Sequence, residues 1–163
     1  MSGRTADVVD VVVRHMAAED RQDLEATLET FTDECWYSVP GLGVELRGKD
    51  EIWHWYRDLF AAVPDFRNAD ERYWVSDRTV FCEARAEGTH SGDWMGWAPT
   101  GRRFSSSMLC RIPIAPDGLI EAEVVYLDGA DVFRQLGLIP KAGGRQERAM
   151  QAMHRARMRL RGR

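Results

Sequence analysis

The chain has little of what the harder kinds of chemistry need. It holds three cysteines, Cys35, Cys82 and Cys110, and four histidines in 163 residues. The cysteines form no CxxC pair and have no histidine at ligand spacing, which argues against structural zinc. Their odd number argues against a disulfide framework, so they are expected to be buried small hydrophobes. No GxGxxG, P-loop, HExxH or GxSxG occurs, which removes the signatures of nucleotide binding, zinc proteolysis and serine hydrolysis. His15, His54 and His90 are scattered without i, i+4 pairing and His154 lies in the tail, so no metal is expected. No apolar run approaches the roughly 20 residues that cross a bilayer, and no signal-peptide core precedes the first amphipathic segment. The expectation is a cytoplasmic protein with no membrane partner.

What is present is ordinary in amount and uneven in placement. Hydrophobic residues make up 44% and charged residues 29%, enough for one domain with a real core. The net charge of −4 conceals an asymmetry: Arg145 to Arg163 carries seven arginines against one glutamate. The body is therefore acidic, which argues against nucleic acid as a partner. The tail after Gly143-Gly144 predicts a basic helix bearing Met150, Met153 and Met158, either a solvated extension or a subunit contact. The chain divides into a pocket domain over 1–140 and this extension over 141–163.

Hydrophobic periodicity changes once along the body. Val8, Val11, Val12, His15 and Met16 recur at helical spacing, and Asp20 is a candidate cap for a second helix with Leu24, Leu28 and Phe31. Cys35 to Val39 reads as a short strand followed by a loop. Lys49 to Val63 predicts a third helix, stopped by Pro64. From Arg72 the period becomes two, with strands expected at 72–76, 79–92, 102–113 and 118–127. A helix over 130–136 ends at Gly137. Helices first and a strand meander after them is the α+β pattern.

The strand 79–92 sets Val80, Cys82, Ala84, Ala86, Gly88 and His90 on one face. Small side chains in a row leave volume above a sheet for a ligand. His90 is the titratable group on that face, as acid, base or orienting group, or simply a structural histidine held in the turn. If Val125 faces the hollow then Glu123 does too, as a partly desolvated carboxylate. The alternatives for Glu123 are pairing with an arginine such as Arg85, or a wet rim. Six tryptophans suit the walls of a pocket for flat hydrophobic ligands. Trp36, Ser38, Tyr56, Phe60, Ala84, Ala86, Met108, Cys110 and Val125 are the expected lining.

Gly88-Thr89-His90-Ser91-Gly92, Pro99-Thr100-Gly101-Arg102-Arg103-Phe104, Asp117-Gly118-Leu119-Ile120, and Asp128 with Arg134-Gln135-Leu136-Gly137 resemble the SnoaL-like polyketide cyclase family, within the nuclear transport factor 2-like superfamily. The resemblance spans roughly residues 7–140. It implies a cone-shaped α+β barrel, a curved antiparallel sheet wrapped by three N-terminal helices, usually a homodimer. It also implies cofactor-independent chemistry on a hydrophobic small-molecule substrate, such as ring closure by intramolecular aldol condensation. Related hydroxylases, dehydratases, isomerases and epoxide hydrolases share the scaffold. In the cyclases a catalytic aspartate precedes a second aspartate by three residues. The second is matched by Asp128, but the first falls on Val125, which cannot move a proton. The cyclase histidine falls on Met108, the epoxide-hydrolase arginine and aspartate fall on Ala84 and Ala86, and the steroid-isomerase aspartate falls near Ser38. The scaffold carries over without the known acids, and Glu123, with His90 and Asp128, is the expected catalytic set. A binding module without catalysis is the alternative.

Overall fold

The computed structural model describes residues 2–161, with side chains from Val8 onward; Met1 and the last two tail residues, Gly162 and Arg163, lie outside the described residues. Three helices precede most of the sheet. Helix α1 (Ser2–Asp20) buries Val8, Val11, Val12, His15 and Met16, the stripe its spacing predicts. Helix α2 (Leu24–Glu29) is capped by Asp23, whose carboxylate accepts from Ala26 N at 3.0 Å. Asp20 is therefore not the cap. Gln22 takes a left-handed φ of 56° and turns the chain first, leaving Asp20 to accept the backbone N–H of Asn68 at 2.7 Å. Helix α3 (Gly48–Ala62) buries Ile52, Tyr56, Leu59 and Phe60.

Six strands form one sheet: β1 (Phe31–Val39), β2 (Val44–Arg47), β3 (Arg67–Ser76), β4 (Thr79–Thr89), β5 (Arg103–Pro113) and β6 (Ile120–Leu127). Their order is β2-β1-β6-β5-β4-β3. All neighbours pair antiparallel except β1 and β6, which run parallel. Helix α4 (Gly129–Leu136) ends at Gly137, whose φ of 75° supplies the left-handed cap. Helix α5 (Arg145–Arg161) has no buried residue. No helix is long and apolar enough to cross a membrane among the described residues.

The sequence reading differs from this arrangement in three strands. β1 begins at Phe31, expected on the second helix, rather than at Cys35, because α2 ends at Glu29. Val44–Arg47 was expected as loop and instead forms β2, because Pro40 to Gly43 closes a tight turn that brings Val44 opposite Val39. Strand β3 begins at Arg67 rather than Arg72. A bulge between Ala69 and Arg72, with Asp70 at φ 59°, breaks the alternation that would have revealed its first half.

Two long strands set the depth of the molecule. β4 and β5 pair over their full lengths, Thr79 with Pro113 through Thr89 with Arg103. The inward face of β4 carries Val80, Cys82, Ala84 and Ala86, all buried. Beyond β4 the chain docks on α3, where Ser91 and Gly92 donate to the Ala62 carbonyl at 2.8 and 3.0 Å. A Cβ on Gly92 would stand 2.6 Å from the Ala61 carbonyl oxygen, so the close approach requires glycine. On the opposite face Glu87 accepts from Arg67, Arg85 and Arg103 at 2.9, 2.7 and 3.0 Å. The Arg67 hydrogen bond foremost, with those of Arg85 and Arg103, holds its carboxyl down at about 2.

Candidate functional site

Alanines on β4 leave room that α1, α3 and β6 surround with larger groups. The resulting cavity is narrow. Its walls are mostly apolar: Val39, Leu42 and Leu59 with Phe66, Phe104 and Val132, the last from α4. Tyr37, Trp55, Tyr56 and Trp94 form an aromatic path along it, with neighbouring ring centroids 5.5, 6.3 and 6.2 Å apart for Tyr56–Tyr37, Tyr37–Trp55 and Trp55–Trp94. Its polar residues include Glu19, Asn68 and Glu123.

These groups meet at His15, which is wholly buried. The Thr30 hydroxyl donates to the Thr27 carbonyl at 2.6 Å, so toward His15 Nδ1, 2.8 Å away, it offers a lone pair. Nδ1 must therefore carry a proton. Nε2 lies 3.1 Å from Glu19 Oε1 and 3.1 Å from Glu123 Oε2. Facing two carboxylates, it carries a proton as well, and the ring is an imidazolium. Burial alone would lower the pKa of His15, but the charges of Glu123 and Glu19 outweigh it and raise the value to about 10.

Glu19 is saturated. It accepts from His15, from Tyr56 Oη on Oε1, and from Asn68 Nδ2 on Oε2 at 2.8 Å. Burial pushes its pKa up, yet His15 and these donors together bring it below the ordinary value. Glu123 differs: its Oε2 lies 3.1 Å from His15 Nε2 and 3.4 Å from Tyr56 Oη, whose one proton goes to Glu19, and the Cys110 thiol is a further hydrogen-bonding neighbour. Burial holds the Tyr37 and Tyr56 phenols and the Cys110 thiol well above their ordinary pKa values, so all three are neutral.

The expected lining residues divide. Tyr56, Ala86, Met108, Cys110, Glu123 and Val125 line the cavity. Phe60 and Ala84 are buried beside it without lining it. Trp36 and Ser38 lie on the other face of β1, because strand alternation gives the inward positions to Tyr37 and Val39. Trp36 stacks beneath Arg47 with 5.0 Å from guanidinium to ring, and Ser38 donates to the Val44 carbonyl at 3.1 Å.

His90 is also outside the lining. It falls just past β4 and ties the hairpin, its N–H donating to the Arg102 carbonyl at 2.9 Å and Nδ1 lying 3.2 Å from Thr100 Oγ1. Asp128 is exposed and caps α4 by accepting from Asp131 N at 2.9 Å. Glu123 thus stands beside His15, in place of His90 or Arg85. Arg85 bonds Glu87 and Asp70.

Sequence reasoning missed His15, Glu19 and Asn68. The signal for the first two was a histidine on the apolar face of α1 with a glutamate four residues on, because a buried polar ring requires partners. Asn68 carried no such signal, since it sits in the half of β3 hidden by the bulge. His15, Glu19 and Glu123 also have ligand atoms close enough to hold a cation, which would have to displace the proton on Nε2.

The family model described as SnoaL-like polyketide cyclase matches residues 9–136. No curated protein sequence matches the chain. Among solved structures, AclR, a hydroxylase candidate from Streptomyces galilaeus, superimposes with a TM-score of 0.72 at 19% identity, over 84% of this chain and 89% of its own. IdmH, a polyketide cyclase candidate from Streptomyces antibioticus, gives 0.68 at 25% identity, over 80% of this chain and 98% of its own. A Catenulispora acidiphila protein with a ketosteroid isomerase-like fold gives 0.68 at 18% identity, over 78% and 92%. The architecture is the nuclear transport factor 2-like α+β fold, with a curved sheet and N-terminal helices. With the match spanning all but α5 and the chain ends, this chain belongs to the SnoaL-like polyketide cyclase family, whose members act on small molecules in secondary metabolism.

Proposed function

We propose that the chain is a cofactor-independent enzyme that moves a proton at the carbon beside a carbonyl, within a hydrophobic substrate, and so closes a ring by intramolecular aldol addition. One observation carries the reading: a buried carboxylate, Glu123, lines a mostly apolar hollow, with its Oε2 3.1 Å from the His15 ring that holds it in place. Glu123 removes the α-proton, the enolate carbon attacks the second carbonyl of the same molecule, and Glu123 returns the proton to the new alkoxide. Fixing both carbons in one narrow cavity supplies much of the acceleration.

The test is closure of a 1,5-diketone, 2,6-heptanedione, to its aldol adduct, 3-hydroxy-3-methylcyclohexanone. Glu123→Gln keeps the shape and is expected to lower kcat by about 10²–10⁴, with circular dichroism unchanged. Unaltered turnover would remove Glu123 from the mechanism. A second reading, a non-catalytic binding module, is favoured by Val125, Ala84 and Ala86 standing where the family resemblance implies acids and a base. Binding without product in the wild-type chain would select it.

The basic segment from Lys141 onward belongs, in this proposal, outside the pocket domain, and the functional unit is a homodimer. Trp74, Leu109 and Tyr126, exposed on the sheet, support that assembly. Sedimentation is expected to give twice the chain mass of 18.6 kDa; a monomer at micromolar concentration would refute it.

A further inference from the structure

Among the described residues, buried side-chain atoms without a hydrogen-bond partner include two on residues that line the apolar cavity, Asn68 Oδ1 and Trp94 Nε1; the Trp55 indole lies within reach of the Tyr37 hydroxyl. Buried polar atoms in folded proteins are nearly always paired, so two strays around one hollow point to a ligand. Their kinds differ. Asn68 Nδ2 donates to Glu19 Oε2 at 2.8 Å, and reversing the amide would set oxygen against carboxylate oxygen. The stray atom is therefore the carbonyl oxygen, an acceptor. The Trp94 indole nitrogen is a donor only.

The two kinds also lie apart. Asn68 bonds Glu19 at the charged end, where His15 and Tyr56 gather. Trp94 stands at the far end of the aromatic path, reached from Tyr56 through Tyr37 and then Trp55. The walls between are apolar and aromatic, which suits a flat body.

We propose that the ligand is a flat, rigid hydroxy ketone. Its hydroxyl donates to Asn68 Oδ1 beside the charged cluster, and its carbonyl accepts from the indole N–H of Trp94. This rests on reading the cavity as the substrate site. The carbonyl held by Trp94 is a different one from the carbonyl whose α-proton Glu123 takes, so the inference adds to the proton-transfer chemistry the polarity and orientation of the molecule received there. A site with committed hydrogen-bonding atoms rejects analogues that lack the matching group, because binding them strands those atoms without either water or partner.

The experiment uses four bicyclic probes of one shape: 6-hydroxy-1-tetralone, 1-tetralone, 5,6,7,8-tetrahydro-2-naphthol and tetralin. Calorimetry on the wild-type chain measures each. The hydroxy ketone is expected to bind about tenfold or more tighter than either compound with one polar group, and tetralin weakest. Trp94→Phe is expected to erase most of the advantage of 1-tetralone over tetralin while changing tetralin affinity by less than about threefold, since only the N–H and part of the ring are lost.

Equal affinities across the four would overturn the proposal, as would no binding of any, or an unchanged ketone preference in Trp94→Phe. The predicted order of affinities with no closure of 2,6-heptanedione would uphold the assigned polarity while removing the enzymatic reading. The two failures are thereby told apart.

Discussion

Replacing His15 by alanine is expected to cost about 3–5 kcal/mol of folding stability, the effect of removing one partner from a buried ion pair. Glu19 and Glu123 would then face each other's charge across the space the ring had filled. Set against a total stability of about 5–15 kcal/mol, the loss places the variant near the edge of folding. Urea titration of wild type and variant measures it. Adding Glu123→Gln to His15→Ala should return part of the loss, because one of the two stranded charges is gone. That non-additivity separates the electrostatic account from a simple cavity. A loss below about 1 kcal/mol, with the double variant no more stable than the single, would contradict it.

Alkaline pH should produce the second large effect. The His15 pKa is raised to about 10 in the folded chain from 6.5. A group whose folded value is raised contributes its full stability below the unfolded value and loses it as pH rises through the folded one. Stability should therefore fall by up to about 1.4 kcal/mol per pH unit between about 6.5 and 10. Glu19 acts in the opposite direction. Its folded value is lowered, so its contribution is present above the ordinary carboxylate range and disappears only in stronger acid. Denaturant midpoints from pH 5 to 10 read the alkaline limb, and His15→Gln should flatten it. An identical slope in the variant would assign the limb to another group.

The general shape of the molecule was legible because it rests on period and punctuation. The α1 and α3 stripes, the β4 row of small residues and the Gly137 cap each declare themselves within a few residues. β2 and the first half of β3 were not legible, because a tight turn and a bulge interrupt the repeat there.

Glu123 was identified through alternation alone, by its parity with Val125, and it does line the cavity with it. Its partner was not. Alternation says which face a side chain takes and nothing about what stands opposite. His15 is 108 residues away in sequence and arrives from a helix. His90 and Asp128 drew attention by type and motif, yet their hydrogen bonds serve a hairpin and a helix cap. Trp36 and Ser38 show how one residue of strand parity, taken the other way, moves a proposed wall to the outside of the sheet.

The central claim is that Glu123 is the group that takes a proton from a bound carbonyl compound. The most direct measurement is exchange of the α-protons of 2,6-heptanedione into D₂O, followed by proton NMR with wild-type chain and with Glu123→Gln. The account predicts exchange well above the buffer rate with wild type and a fall of at least about 100-fold in the variant, at equal ligand occupancy. Equal exchange rates in the two proteins would contradict it.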